Sequence, residues 1–204
     1  MNQNNLTVGN DYFTGCRLGT LITSVAYNAF RSCKNLREIT LSNTINSIEL
    51  SAFSYINKTS SGICIVIPKT VTVLSTSVFE SSKQFSYIIL PNTLNTIQTY
   101  ACRGCSSLRA VVIPDLVSSL PSSAFDQNYD LQKVAISKNS HLTAIGSSMF
   151  SGSKLQSIYI PNTVTSIANA VFSSTKISGI KLPPTLSLID NYLFTTCRNL
   201  REIT

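Results

Sequence analysis

One histidine, His141, stands in 204 residues, and only 12% of the residues are charged. A single imidazole excludes repeated His-metal sites and leaves at most one Ser-His-acid triad. Neither G-x-x-x-x-G-K-[ST] nor G-x-G-x-x-G occurs, so no glycine-rich loop of those kinds cradles a phosphate. No apolar run approaches the ~20 residues of a membrane-spanning helix. Residues 1–15 have neither a basic start nor an apolar stretch of signal-peptide length, so no secretion signal is expected there. Six cysteines are too few for a disulfide scaffold at this length. Sequons at Asn5 and Asn57 hint weakly at an extracellular life.

What is present is a regular beat. Hydrophobic residues make up 43% of the chain, enough at even spacing to bury a core and exclude disorder. Phenylalanine recurs as Phe30, Phe53, Phe79, Phe125, Phe150, Phe172 and Phe194, with Cys102 in the same frame. The steps are 23, 26, 23, 23, 25, 22 and 22 residues, the period of a stacked repeat. Length is added in polar stretches, at 57–62 and near Lys138 to His141, where surface turns are expected.

Two aliphatic columns share the frame. Five residues before the spine position stand Val25, Ile48, Leu74, Ile97, Leu120, Ile145, Ile167 and Ile189; eight before it stand Ile22, Ile45, Val71, Leu94, Val117, Leu142, Val164 and Leu186. After the spine comes a strand signal such as Leu108-x-x-Val111-x-Ile113, whose last two apolar residues share one face of a β-strand. Turns spelled Pro91-Asn92-Thr93 and Pro161-Asn162-Thr163 end the strand, since proline cannot donate to a ladder. No such unit buries its columns alone, so neighbours must stack.

The pattern resembles the BspA-type leucine-rich repeat, as in Ile160-Pro161-Asn162-Thr163-Val164-Thr165-Ser166-Ile167. The resemblance covers the chain from about Ile22 onward. It implies a mainly β solenoid, a curved right-handed array with a parallel sheet on its concave face and short helical turns or strands elsewhere. It also implies a surface protein that binds host matrix or other cells, with no catalytic residue and no cofactor. Residues 1–21 read as a partial or irregular repeat and 22–204 as one array whose last unit stops inside a strand, near-duplicating Cys33 to Thr40. An open strand edge there predicts truncation or end-to-end self-association.

The repeat frame also decides between chemistry and structure. Cys102-x-x-Cys105 has the spacing of a redox pair or half a zinc site. Yet Cys102 occupies the spine, and Cys105 fills a slot three residues later that is also filled by Cys16, Cys33 and Cys197. Buried thiols acting as small hydrophobes are therefore expected, and a bond between Cys16 and Cys33 is not. His141 lies in an inserted polar turn and reads as an exposed or capping side chain.

Two outward columns are candidates for binding. Four residues after the spine position stand Arg17, Lys34, Lys83, Lys154, Lys176 and Arg198, interrupted by Asn57, Ser106 and Tyr129. With a net charge of +7, such a stripe suits a sulfated glycan or an anionic protein. Between the inward strand residues stand Thr40, Val66, Ile89, Val112, Ala135, Tyr159 and Lys181, with Tyr87 nearby. Val66, Tyr87, Ile89, Val112 and Tyr159 form a candidate protein-binding face. The expected function is recognition or adhesion to a host, matrix or cell-surface protein, with no nucleic acid as partner. The alternatives are a cytoplasmic scaffold using the same face and, on weaker grounds, a glycan-cleaving enzyme.

Overall fold

The computed structural model describes residues 15–57 and 62–204. The N-terminal stretch with the Asn5 sequon and most of the insertion after Asn57 lie outside it. The chain winds as a parallel β-solenoid of about eight turns, and no helix occurs among the described residues. Each turn contributes one segment to each of two rows. The first row holds β1 (Gly15–Arg17), β3 (Glu38–Thr40), β5 (Ile63–Val66), β7 (Phe85–Ile89), β9 (Ala110–Ile113), β11 (Lys133–Ile136), β14 (Gly179–Ile180) and β15 (Glu202–Ile203). The second holds the two-residue strands β2 (Ser24–Val25), β4 (Ser47–Ile48), β6 (Val73–Leu74), β8 (Thr96–Ile97), β10 (Ser119–Leu120), β12 (Ala144–Ile145) and β13 (Ser166–Ile167).

Register follows the columns. In the second row Val25 pairs with Ile48, Leu74 with Ile97, and Leu120 with Ile145 and then Ile167. These side chains are buried, as are the aliphatics three residues earlier from Ile45 to Val164. In the first row β5, β7, β9 and β11 form one four-stranded parallel sheet. The pairing of β5 with β7 skips Ser86 at a bulge, so that both Phe85 and Ser86 are buried.

The phenylalanines stack face to face through the core. Phe30, Phe53 and Phe79 follow one another at 5.1 and 5.5 Å between ring centroids, and Phe125, Phe150, Phe172 and Phe194 at 6.3, 6.2 and 5.7 Å. Cys102 separates the two stacks and is wholly buried. Phe85, in a column held elsewhere by Leu36, Leu108 and Leu131, meets Phe79 edge-on at 5.2 Å. In the last turn Ile189 is 56% exposed while Phe194 and Leu186 are part-buried, contrary to the expectation of continuous columns. A column position is covered by the turn on each side of it, and these have one such neighbour.

Between the two rows the spine residue sits in a tight turn with an unusual backbone. Residues two before and two after it adopt positive φ: Asn28 and Ser32, Ser51 and Tyr55, Ser77 and Ser81, Tyr100 and Gly104, continuing to Tyr192 and Thr196. With the two left-handed residues flanking the spine residue, every second amide of the turn points toward the next repeat while those between bond within the turn. Phe53 N donates to Val78 O at 2.8 Å and Tyr55 N to Glu80 O at 2.8 Å, while Ser51 N reaches Thr76 O at 3.2 Å. Thus the turns make a third ladder, and the left-handed conformation, which costs a residue with a Cβ ~1–2 kcal/mol, is the means.

The turns that follow the first row are tied down by a hydroxyl. Thr44, Thr163 and Thr185 donate through Oγ1 to the carbonyls of Ile22, Leu142 and Val164 at 2.8, 2.7 and 2.6 Å, and Thr70 donates likewise to Ile45. Each of these acceptors is the aliphatic column residue of the preceding repeat, whereas Thr93 of Pro91-Asn92-Thr93 donates to Lys69 O at 2.6 Å.

Two substitutions probe this architecture by denaturant unfolding. Phe150→Ala is expected to cost about 3–5 kcal/mol, because a fully buried ring is lost from the middle of a stack. Ala170, at φ 58°, is expected to tolerate glycine with a gain of up to ~1 kcal/mol, the reverse of the usual effect. A clear loss at Ala170→Gly would remove the account of the turn.

Candidate functional site

The outward side of the four-stranded sheet is where apolar side chains meet solvent. Alternation in β5, Ile63-Cys64-Ile65-Val66, buries Ile63 and Ile65 and exposes Cys64 and Val66. Register then aligns Val66 with Ile89 and Val112 with Ala135, while Cys64 and Ala110 both pair with Tyr87. Val66, Ile89 and Val112 are 59, 47 and 65% exposed, and Tyr87 and Tyr159 are 41 and 47% exposed. The five candidate residues of this face therefore lie on one side of the first row. Cys64, which belongs to neither cysteine column, joins them because strand alternation puts it outside.

The basic column is less continuous than its spacing suggested. Lys34, Lys83, Lys154, Lys176 and Arg198 are exposed, but Ser106 and Tyr129 divide them into two groups. Lys154 Nζ lies 2.6 Å from Asp130 Oδ1, so one charge of the longer group is compensated. Arg17 does not belong to the stripe at all. It pairs with Thr40 in β1 and β3 and so continues the strand column, because the first turn departs from the later spacing. Cys16 pairs with Ile39 by the same register, out of line with the slot of Cys33. The expectation about a Cys16–Cys33 bond falls on a side chain outside those described.

The Cys-x-x-Cys pair takes the two positions the frame assigns. Cys102 and Cys105 are both buried, and Cys105 Sγ donates to Phe79 O at 3.0 Å. Burial, reinforced by Cys105, pushes the Cys102 thiol well above the ordinary cysteine value, so thiolate chemistry is disfavoured there. Ser82 Oγ donates to Phe53 O at 2.5 Å and Cys197 Sγ to Phe172 O at 2.9 Å, showing that this slot serves the carbonyl of the preceding spine residue. His141 is exposed, and its Nδ1 donates to Asp115 O at 2.9 Å, capping the preceding turn. No group of three or more His, Cys, Asp or Glu placed to hold a metal occurs among the described residues.

One ionic ladder was not anticipated. Arg103 lies between Glu80 and Asp126 of the flanking turns, at 3.8 and 3.4 Å, with its guanidinium 5.2 Å from the Tyr100 ring. The signal was in the column just after the spine, which reads Glu80, Arg103, Asp126. Burial raises the Asp126 carboxyl above its ordinary value of 3.8, outweighing the attraction of Arg103 and the hydrogen bonds it receives.

The repeat geometry has close counterparts. The family model for the BspA type leucine-rich repeat region matches residues 6–132 and 127–204, in six copies. The chain belongs to this family. Among solved structures, a leucine-rich repeat protein from Bacteroides ovatus superposes with a TM-score of 0.70 at 18% identity over 93% of this chain. The chain spans about half of that protein, 54% of its length. A leucine-rich repeat protein of T. pallidum gives a TM-score of 0.48 at 21% identity, covering 98% of this chain and 72% of its own. No curated protein matches the chain. At 18% identity the likeness to the Bacteroides ovatus protein shows the fold alone, a leucine-rich repeat array.

Asp126 supplies a test of the electrostatics. A carboxyl whose pKa is raised on folding binds more proton folded than unfolded, so stability falls as pH climbs from 3.8 toward the raised value. At neutral pH the ionised Asp126 weighs against the fold. Asp126→Asn is expected to flatten that slope and raise the denaturation midpoint at about pH 7. An unchanged slope, with stability equal or lower, contradicts this.

Proposed function

We propose that this BspA-type array is a non-catalytic recognition module that binds a protein through Val66, Tyr87, Ile89, Val112 and Tyr159, at a cell surface. The observation carrying this reading is the row of solvent-exposed aliphatic side chains, Val66, Ile89 and Val112, on three consecutive strands of one four-stranded sheet. Exposed aliphatics in a contiguous strip with aromatic margins have the composition of an interface core. A sheet braced by three ladders needs little ordering on binding, which lowers the cost of association. Family membership supports a protein-interaction role and favours the surface over the cytoplasm.

The test is an Ile89→Asp, Val112→Asp double variant. These side chains are outside the core, so the thermal midpoint should stay close to that of the parent. Affinity for a partner captured from cell-surface or matrix extracts should fall about thirtyfold, the effect of losing ~2 kcal/mol at an interface centre. Undiminished binding by the folded variant removes the assignment.

A further inference from the structure

The first row of strands is interrupted, and the interruption is lined for a charged ligand. Between β11 and β14 the chain from 157 to 160 runs with Ile158 and Ile160 inward and Tyr159 outward, as Val111, Ile113 and Val112 do in β9. It nevertheless forms no ladder. Leu155 O and Gln156 O accept from Lys176 N and Ser178 N at 3.0 and 3.3 Å, and beyond them no backbone hydrogen bond joins 157–160 to either side. The two steps that depart most from 23 residues coincide with the breaks in the row, one between β3 and β5 and one after β11. The main chain of 157–160 keeps the alternation of an extended strand, so its N–H and C=O groups lie in the plane of the sheet without partners on either side.

Clefts of about 420 and 550 Å³ flank this segment. Lys133 lines the smaller; Lys138, Lys181 and Asn162 line the larger; Tyr159 belongs to both. No aspartate or glutamate lines either. An unpaired parallel strand with three ammonium groups around it suits a ligand that supplies amide donors, amide acceptors and negative charge together.

We propose that these clefts receive an acidic, extended peptide segment of the partner protein. Its main chain pairs with 157–160 by strand addition, and its carboxylates meet Lys133, Lys138 and Lys181. This deepens the reading above, on which it rests for the partner being a protein, and Tyr159 is common to both.

The probe is a fluorescein-labelled octapeptide of alternating Glu and Val, titrated against the full chain by fluorescence polarisation. Saturable binding is expected, with a loss of at least about tenfold in Lys138→Glu, Lys181→Glu. A peptide N-methylated at alternate residues should lose binding comparably, since strand pairing needs those amides. Absence of saturable binding overturns the proposal, as does equal affinity for the N-methylated peptide, which reduces the effect to charge. A heparin oligosaccharide of the same charge that binds more tightly, and is lost in the lysine variant, assigns the clefts to a glycan instead. The Ile89→Asp, Val112→Asp variant should bind the octapeptide as the parent does. Failure of the peptide alongside normal partner capture therefore overturns the clefts alone, and failure of capture dependence overturns the apolar face alone.

Discussion

Every turn of this solenoid leaves backbone donors and acceptors that its own residues do not satisfy, and the stack exists because the next turn satisfies them. In the two strand rows this is ordinary parallel pairing. In the spine turn it demands a backbone that points amides along the array. The positive φ of residues such as Ser51 and Tyr55 is how the chain provides them. Strain in one residue is offset by a hydrogen bond to the neighbouring repeat, such as Ser32 N to Ser54 O at 2.9 Å. Short polar residues dominate these positions because an L-residue with a small side chain tolerates the left-handed region best.

That constraint sorts the side chains. With the turn backbone committed to its neighbours, the carbonyl of each spine residue is served from the next repeat, by the slot three residues after that repeat's own spine position. A hydroxyl or thiol of the right length suffices there, and the chain uses Ser82, Cys105 and Cys197 interchangeably. Asn128 and Ser153 occupy the same slot with buried side-chain atoms that have no protein partner, so the slot accepts polar groups even where no such bond is made. A Cys-x-x-Cys motif in such a frame is the crossing of a core column with a hydrogen-bonding column.

The columns were legible because a period of 23 repeated often enough separates inward from outward positions. Val66, Ile89 and Val112 could be placed outside by alternation alone. The frame failed where periodicity does. Arg17 and Cys16 precede the first regular step, and only pairing with Thr40 and Ile39 shows that they belong to a strand. Cys64 stands outside both cysteine columns, and the alternation of its own strand is what places it on the outer face. The Glu80–Arg103–Asp126 ladder was present as a column, but opposite charges one repeat apart become partners only once the stack brings consecutive turns together. The left-handed turn residues are hard to read from residue type, since serine predominates there in a chain rich in serine everywhere and Tyr55, Tyr100 and Tyr192 share the same positions.

The same dependence on regular spacing explains where the surface can do something distinctive. A perfectly periodic array satisfies its own backbone everywhere and presents side chains only. Here the first row is unpaired at 157–160, after the residues added near Lys138, while the second row continues unbroken from β10 through β13. The core is preserved because Ile145 and Ile167 still pair. The sheet on the opposite row opens, and main-chain groups become available beside Tyr159. A length change that would be neutral in a surface loop thus converts one turn of a self-satisfied stack into a place where another chain's backbone has partners.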